Sequence, residues 1–293
     1  MTHTSAKVIC DTVHPKVPTA RITTFEVYAP RFLLAELNTH RVLAKSVASS
    51  RAIPVRKRIE MVEKHGFIPS VFGKNRSGMQ SSEALAEQEG AADLWKMAIG
   101  YAVGVAEAME KLGVHKQHAN RVLEPFAYFH AVITATEWSN FFNLRLHPDA
   151  QPEFQELARV MKDAMDVSVP RKDTRHLPYI DGGGEDLRRL FNRPDLFKIS
   201  SARCARVSYK THDGKPFDFN ADLDLCADLI KGGHLSPFDH PAEVDDVILD
   251  GSLWEAPHAH RQFWGWIPHR VRVELDNHML PGRRDSYGLI NKG

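Results

Sequence analysis

The chain has 293 residues, of which 38 are Lys or Arg and 37 are Asp or Glu, so its net charge is only +1. Such a chain lacks the long-range positive field that non-specific binding of a nucleic-acid polymer requires. Its three cysteines cannot all pair and show no Cys-x-x-Cys spacing, which favours the reducing cytosol over secretion. The sequence has no apolar run of about 18 residues and no N-terminal signal-peptide core, so we expect a cytoplasmic protein without membrane contact.

Two elements are predicted near the N-terminus. Residues 21–27 (RITTFEV) are rich in β-branched and aromatic side chains and predict a strand that runs into Ala29-Pro30. A helix is expected after Pro30, because proline is favoured in a first helical turn and the residues that follow share one helical face. These residues are Phe32, Leu33, Leu37 and Arg41.

The central part of the chain predicts two long helices. The first spans roughly 83–112 and ends at Gly113, because apolar residues recur at three- and four-residue steps. They are Leu94, Met97, Ala98, Tyr101, Val105, Met109 and Leu112. The second begins near Pro152 and ends before Pro170, with one apolar stripe. Between them, residues 121–146 are aromatic and weakly charged, so we expect a buried segment with at least one long helix.

Beyond Pro170 the pattern is that of a loop through the glycine run 182–184. A short strand is predicted over 205–209 (ARVSY), followed by a helix over 221–231 that ends at Gly232-Gly233. No internal repeat or low-complexity tract divides the sequence, so we expect a single catalytic domain over residues 1–293.

Metal and thiol chemistry are both disfavoured. The histidine groups are His258 with His260, His115 with His118, and His234 with His240, and none has a metal-site spacing such as His-Glu-x-x-His. We interpret these histidines as structural or surface residues and expect no metal. We interpret Cys204 as a buried, inert cysteine.

A cluster of cationic and hydroxyl side chains follows the first predicted helix. The segment from Asn38 to Arg51 contains His40, Arg41, Ser46 and Ser49, with few carboxylates nearby. Guanidinium, imidazole and hydroxyl donors together suit phosphate or another multidentate anion. A solvated basic loop explains the composition equally well.

Three blocks in order resemble a known family. Residues 25–51 (FEVYAPRFLLAELNTHRVLAKSVASSR) resemble the signature region of the flavin-dependent thymidylate synthases, in which an Ala-Pro and a helix lead into Arg-His-Arg-x-x-Ser and Ser-x-Arg. Residues 120–125 (NRVLEP) resemble the family's Arg-x-Val-Leu-Pro. Residues 138–145 (WSNFFNLR) with Ala150-Gln151 resemble its Asn-Phe-Leu-x-Leu-Arg and Ala-Gln-Trp-Glu.

Two further blocks match out of order. The family's Ala-Arg-Val-Ser-Tyr strand and His-x-Ser-Pro-Phe-Glu-His turn precede its Arg-His-Arg block, but here 205–209 and 234–240 (HLSPFDH) follow it. We interpret this order as a circular permutation, which requires only that the ancestral chain ends lie close together. Residues 55–80 and 251–293 have no clear counterpart. The resemblance implies an α/β (α+β) fold, with a twisted, mainly antiparallel sheet packed with long helices, like that of thymidylate synthase-complementing proteins.

The resemblance also implies a reaction. It is the reductive methylation of a pyrimidine deoxynucleotide at C5, most simply of dUMP to dTMP, with FAD as cofactor and NADPH and methylene-tetrahydrofolate as co-substrates. The protein would supply orientation and electrostatics around the flavin. The partner is a small-molecule nucleotide, and the assembly is a homotetramer with active sites at subunit interfaces.

The site residues implied by the resemblance form two sets. The cofactor set is Thr39, His40, Arg41, Asn140 and Ser236. The substrate set is Glu36, Ser49, Ser50, Arg51, Arg121 and Arg145, in which Ser49, Ser50 and Arg51 hold the phosphate of a nucleotide bound by a neighbouring subunit. Arg145 would be catalytic, because a fixed guanidinium against the pyrimidine favours its N3-ionised form.

Four departures from the family pattern leave alternatives open. Thr39 replaces an arginine, Ala44 a serine, Val47 a glutamate and Glu36 a glutamine. A carboxylate at Glu36 accepts hydrogen bonds and cannot donate them, so it would pair better with the N4 amino group of cytosine than with O4 of uracil. The alternatives are a dCMP methylase or hydroxymethylase, and a non-catalytic nucleotide-binding paralogue. A cysteine-dependent mechanism is disfavoured, because none of the cysteines lies in a Pro-Cys-His context.

Overall fold

We describe a computed structural model of the chain, in which residues 3–78, 80–81, 83–180, 187–209, 218–245, 262–277 and 279 are described. The strands are β1 (Ser5–Val13), β2 (Arg21–Pro30), β3 (Ala44–Val47), β4 (Tyr128–Ala135), β5 (Arg171–Lys172), β6 (Arg175–His176), β7 (Ala242–Val244) and β8 (Trp266–Pro268). The α-helices are α1 (Leu34–Leu37), α2 (Val55–His65), α3 (Gln88–Lys111), α4 (Lys116–Ala119), α5 (Ser139–Arg145), α6 (Pro152–Asp166), α7 (Leu187–Leu190), α8 (Arg193–Tyr209), α9 (Phe219–Lys231) and α10 (His269–Asp276). Short 3-10 helices are Arg31–Leu33, Ser50–Ala52, Asn120–Phe126 and Ser236–Asp239.

The strands form two sheets. The larger has the order β3-β4-β2-β1-β5 and is antiparallel except for the short pairing of β1 with β5. The smaller has the order β6-β7-β8 and is antiparallel. This mixture of mainly antiparallel sheets and helices confirms the predicted fold class. The permuted motif order is tested by no observation here and stays a prediction.

One face of the larger sheet is apolar and carries the main core. Phe25 and Val27 of β2 and Ile133 of β4 pack with Phe154 and Leu157 of α6 among completely or nearly completely buried side chains. Successive residues of a strand point to opposite faces, so the odd-numbered residues of β2 share this face. Helices α5 and α6 therefore lie on it, which places Arg145 near this core.

The opposite face of the sheet is crossed by buried polar groups. Thr24 of β2 and Thr134 of β4 are hydrogen-bonded to each other (2.6 Å between hydroxyl oxygens) and each to a buried histidine. Thr24 contacts Nε2 of His176 at 2.7 Å, and Thr134 contacts Nδ1 of His240 at 2.8 Å. Nε2 of His240 is in turn 2.9 Å from the Ser46 hydroxyl of β3. This threonine–histidine network attaches the C-terminal half of the chain to the sheet.

A second cluster of apolar residues lies between α2, α3 and the 3-10 helix Asn120–Phe126. Ile59, Val62, Val103, Ala106 and Leu123 are its most buried members. Because α3 uses this side for packing, most of the stripe predicted from Leu94 to Leu112 faces outward instead, whereas Met109 packs against the cluster. Leu94, Met97, Tyr101, Val105 and Leu112 are between 49% and 82% exposed, and we call these five residues the α3 apolar face.

Several predicted elements are confirmed. The strand at 21–27 is part of β2, and the helices expected near 83–112, from Pro152, and over 221–231 are α3, α6 and α9. Gly113 and Gly233 follow α3 and α9 with φ of +76° and +69°, a conformation that glycine adopts without a Cβ clash.

Three predicted elements are wrong. The helix after Pro30 is only a 3-10 turn followed by α1, which ends at Leu37, so Arg41 lies outside it. The chain turns because the Thr39 hydroxyl donates to the Glu36 carbonyl (2.6 Å) and residues 44–47 must pair with β4.

The long helix expected within 121–146 is the strand β4 with the short α5. The predicted burial holds for β4, whose aromatic and β-branched residues fill a central strand that is covered on both faces and shows no alternation, but not for the rest of the segment, where several residues are exposed.

The strand expected at 205–209 lies inside α8. Five residues carry too little periodicity to outweigh tertiary contacts, and Cys204 and Val207 of this helix pack on Val132 of β4.

Candidate active site

Arg145 is fixed by three side chains. Its Nε donates to Nε2 of His40 (2.9 Å) and its Nη1 donates to the carboxylate of Glu36 (2.9 Å). Its guanidinium carbon lies 4.3 Å from the ring centroid of Phe154. Two directed hydrogen bonds and a stacked ring hold a guanidinium in one orientation. The Nη2 group has no protein acceptor among the described residues, so it is available to a ligand.

His40 acts as the acceptor in this arrangement. It is 7% exposed and packs edge-on against Phe141, with ring centroids 5.1 Å apart. Burial lowers the pKa of His40, and the charges of Arg145 and Lys45 lower it further. A neutral imidazole with Nε2 unprotonated is the form that accepts from Arg145. His40 therefore orients Arg145 as a neutral base.

Lys45 supports the same group from β3. Its Nζ donates to the carbonyl of His40 at 2.7 Å, and burial lowers the pKa of Lys45 to about 8. No role for Lys45 is predicted from the sequence, because a lysine in a basic segment is typical of a solvated surface.

Glu36 and Arg145 lie on the wall of an open pocket. Its volume is about 730 Å³, within the range of small-molecule sites, and Phe32, Trp95 and Gln151 also line it. The carboxylate of Glu36 is about half exposed, while the Arg145 side chain is 18% exposed. The pocket therefore offers one anchored cation with an exposed carboxylate beside it.

A second polar group surrounds Glu124. Its carboxylate accepts from Arg31 (2.9 Å), Arg121 (3.0 Å) and the hydroxyl of Ser50 (2.5 Å). Burial alone raises the pKa of Glu124, but the Ser50 hydrogen bond and the charges of Arg31 and Arg121 outweigh it and lower the pKa. We call Glu124 and its partners the Glu124 cluster.

The predicted phosphate residues lie at this cluster. Ser49 accepts from the backbone N–H of Arg51 at 3.3 Å and so caps the 3-10 turn Ser50–Ala52. Ser50 is buried on Glu124, whereas Arg51 is exposed and Arg121 is about half exposed. The structure thus brings Ser50 and Arg121 together through Glu124, with Arg51 beside Ser50 in the chain. Their role in phosphate binding stays a prediction.

The predicted cofactor residues occupy several places. His40 belongs to the Arg145 group, which we define as Arg145 with His40, Glu36 and Phe154. The Thr39 hydroxyl donates to the Glu36 carbonyl. Ser236 lies beside a smaller pocket of about 180 Å³, together with Lys45 and Val47. Neither Arg41 nor Asn140 lines either of these two pockets. The side chains of Arg41, Asn140 and Ser236 are exposed and form no hydrogen bond with described residues, and their role in cofactor binding stays a prediction.

Three neighbours of the site are not predicted from the sequence, namely Phe154, Arg31 and Glu124. In the sequence, Phe154 is recognisable only as one member of the apolar stripe of α6. Glu124 is recognisable only as an unusual acidic residue inside the NRVLEP block. Both act through contacts between distant parts of the chain, which local patterns do not contain.

The histidine groups and the cysteines occupy other places. Among the described residues no three His, Cys, Asp or Glu side chains form a group suited to a metal. His115 caps α4, His240 belongs to the buried network, and His258 and His260 lie outside the described residues. Cys204 is completely buried and its burial raises the pKa of the thiol well above its ordinary value, as expected for an inert cysteine. None of the described helices has the length and apolar character needed to cross a membrane.

Sequence similarity identifies the family. Residues 7–171, more than half of the chain, match the family described as "Thymidylate synthase complementing protein". The chain belongs to this family. The protein is therefore a thymidylate synthase-like enzyme, a methyltransferase, and its family supports methylation of a nucleotide at C5. The match covers the Arg145 group and the Glu124 cluster and ends before the two C-terminal blocks.

Comparison with solved structures gives weaker similarities. The UMP/dUMP methylase PolB from Streptomyces cacaoi, bound with 5-Br dUMP, shares 15% identity, covers 56% of this chain and 90% of its own, and gives a TM-score of 0.46. Thymidylate synthase X from Helicobacter pylori, with FAD and dUMP, shares 20% identity, covers 49% and 67%, and gives a TM-score of 0.35. No curated protein sequence matches this chain.

Proposed function

We propose that this member of the thymidylate synthase complementing protein family carries out a flavin- and folate-dependent methylation of dUMP to dTMP. The observation that carries the proposal is the guanidinium of Arg145, held by His40, Glu36 and Phe154 on the wall of the 730 Å³ pocket. Methylation at C5 requires electron density on the pyrimidine ring. A guanidinium fixed before the reaction stabilises negative charge there without reorganising.

His40 and Glu36 have distinct positioning roles in this proposal. His40 accepts from Nε and leaves Nη2 free, so the substrate meets one defined edge of Arg145. Glu36 forms an ion pair with Arg145. This pairing supports uracil over cytosine as the base of the substrate, because a paired carboxylate is a weaker acceptor for the N4 amino group of cytosine. Catalysis by Arg145 thus depends on the protonation states of its neighbours.

The phosphate of the nucleotide is assigned to Ser49, Ser50, Arg51 and Arg121. Arg121 is exposed at the Glu124 cluster, where one carboxylate faces two guanidinium groups, and Arg51 is exposed next to Ser50 in the chain. An excess of guanidinium over carboxylate suits a phosphate, which accepts several hydrogen bonds at once.

FAD is assigned to Arg41, Asn140 and Ser236, whose exposed donors are free, together with Thr39 and His40. When bound, the flavin supplies the reducing equivalents that side chains cannot supply. NADPH as reductant and methylene-tetrahydrofolate as carbon donor complete the proposal. The chain's own residues then bind and orient the nucleotide and the cofactor, and they exclude water from the site.

We also propose a homotetramer in the cytoplasm. The α3 apolar face supports association, because five large apolar side chains on one helix are exposed in the single chain. Contiguous exposed apolar surface of this kind marks an interaction site more often than a free surface.

The test is one incubation with dUMP, UMP and dCMP in parallel. The purified protein is reconstituted with FAD and given NADPH and labelled methylene-tetrahydrofolate, and the nucleotide products are analysed by mass spectrometry. We expect a labelled methyl group on dUMP. A labelled product from dCMP alone would establish the cytosine alternative. Nucleotide binding without any labelled product, after FAD is shown to be bound, would establish the non-catalytic paralogue.

A further inference from the structure

Arg58 is a buried cation whose guanidinium has no hydrogen-bond or ion-pair partner among the residues that the structure describes. It lies in α2, is 2% exposed, and its Nε is completely buried without a hydrogen-bond acceptor. No hydrogen bond or ion pair joins its guanidinium to any residue that the structure describes. Buried charges in proteins are normally paired, because a guanidinium removed from water loses a large solvation energy. Arg58 therefore needs an acceptor that the described chain does not provide.

The surroundings of Arg58 make its isolation more costly. Burial and, to a smaller extent, the nearby charge of Arg31 lower the pKa of Arg58 to about 10, whereas the charges of Glu124 and Tyr28 act in the opposite direction. Glu124 is already shared by Arg31, Arg121 and Ser50. One carboxylate thus faces the guanidinium groups of Arg31, Arg58 and Arg121, and the cluster has an excess of positive charge.

Part of this cluster is exposed to solvent. The Arg121 side chain is 54% exposed and that of Glu124 is 23% exposed, while Arg58 lies deeper. The Ser50–Ala52 turn contacts the 3-10 helix that carries Arg121 and Glu124. A ligand that enters beside Arg121 can therefore use donors from the turn, from Arg31 and from α2.

We propose that Arg58, together with Arg31, is a phosphate-binding residue that completes the nucleotide site from α2. A phosphoryl group has several acceptor oxygens and a charge of about −2. It therefore binds a pair of guanidinium groups better than a neutral ligand, or a ligand with one acceptor atom, does. Arg58 lies in residues 55–80, which none of the recognised motifs covers. The inference rests on the proposed function for the nucleotide, but its first test requires only inorganic phosphate.

The first test is thermal unfolding with and without inorganic phosphate, at matched ionic strength in sodium chloride. We expect phosphate to raise the Tm of the wild-type protein. Arg58→Met should raise the Tm of the free protein, because it removes an unpaired buried charge, and should abolish the phosphate-dependent increase. The matched control is Arg56→Met, since Arg56 lies on the same helix, is 59% exposed and pairs with Glu60 and Glu107. This control should keep the phosphate effect.

Two results would overturn the proposal. One is a wild-type Tm that phosphate does not change, and the other is an Arg58→Met protein with a lowered Tm that still responds to phosphate, as a purely structural arginine would give. If Arg58→Met does not fold, Arg58→Lys replaces it, because lysine keeps the charge but loses the planar fork and should reduce the phosphate response.

Calorimetry with dUMP and deoxyuridine separates this inference from the proposed function. We expect Arg58→Met to weaken dUMP binding at least about tenfold and to leave deoxyuridine binding unchanged, because a single charge-assisted contact is lost. An equal loss for both ligands would contradict a role at the phosphate. A phosphate response in a protein that fails to methylate any nucleotide would refute the proposed reaction while the phosphate site stands.

Discussion

At the scale of single residues, Arg145 combines three contacts that no other side chain can reproduce. A lysine has one compact donor group, so it cannot bond His40 and Glu36 in the same plane or stack on Phe154. We expect Arg145→Lys to lower kcat/KM for the nucleotide at least about 100-fold, the effect typical of losing one preorganised donor. Steady-state kinetics measures this loss of kcat/KM, and thermal unfolding measures any change in stability.

Folding should change little in this variant. The Glu36–Arg145 pair is partly exposed, and such pairs contribute at most about 1 kcal/mol to stability. Arg159→Lys is the matched control, since Arg159 is 60% exposed and pairs only with Asp163 one turn later. A variant of Arg145 that loses Tm in proportion to its loss of turnover would show that the residue is structural.

The residues of the site were only partly predictable from the sequence. The His40-Arg41 and Asn-Leu-Arg145 motifs are local strings, so their similarity to the family was visible directly. The pairing of Arg145 with His40 and Glu36 joins residues more than 100 positions apart, and the burial of Arg58 depends on packing among α2, α3 and the 3-10 helix Asn120–Phe126. Such contacts follow from the tertiary fold and leave no periodic signal.

At the scale of elements, α3 has two apolar sides. One packs on α2, and the other is the α3 apolar face of Leu94, Met97, Tyr101, Val105 and Leu112. We expect Tyr101→Glu combined with Val105→Glu to reduce the assembly to smaller species, because burying two new carboxylates at an interface is unfavourable. Light scattering coupled to size exclusion measures the mass of each protein.

The control for this prediction lies on the same helix. Lys96→Glu changes the charge of an exposed residue, 58% exposed, that pairs with Asp93. It should leave the mass unchanged. A double variant with the wild-type mass would show that the α3 apolar face is not used for assembly.

The elements themselves were predictable where their pattern was long. The helices α3, α6 and α9 have 13 to 24 residues and clear turns of apolar residues, so the sequence indicates them. The strand β4 is buried on both faces, so its sequence lacks the alternation that indicates a strand. The segment ARVSY is too short for its strand-like composition to determine its structure, and it lies inside the helix α8. The outward orientation of the α3 apolar face could not be predicted, since the spacing of apolar residues does not indicate which part of the structure packs against them.

At the scale of the whole molecule, the threonine–histidine network makes stability depend on pH. His240 is completely buried, and burial lowers its pKa to about 3, whereas an unfolded histidine has a pKa of about 6.5. Below pH 6.5 the unfolded chain binds a proton that the folded chain does not, so stability is full above that pH and falls as the pH falls towards 3. Between pH 7 and pH 5 this histidine should cost about 2 kcal/mol.

Urea unfolding at the two pH values measures this cost. The wild-type protein should lose about 2 kcal/mol more than His240→Gln, in which the titrating ring is absent. His147→Gln is the control, because His147 is 60% exposed and its replacement should not change the pH dependence. Equal losses in the wild-type and His240→Gln proteins would show that His240 titrates normally in the folded chain.

The same network restricts how the sequence can change over evolutionary time. Thr134 is hydrogen-bonded to both Thr24 and His240, so replacing it alone removes one hydrogen bond from each of two buried groups. A lone replacement of this kind is costly, whereas an apolar replacement of all the linked groups is nearly neutral. Homologous sequences should therefore show positions 24, 134, 176 and 240 changing together as a set, and that covariation would record a link between the two halves of the chain.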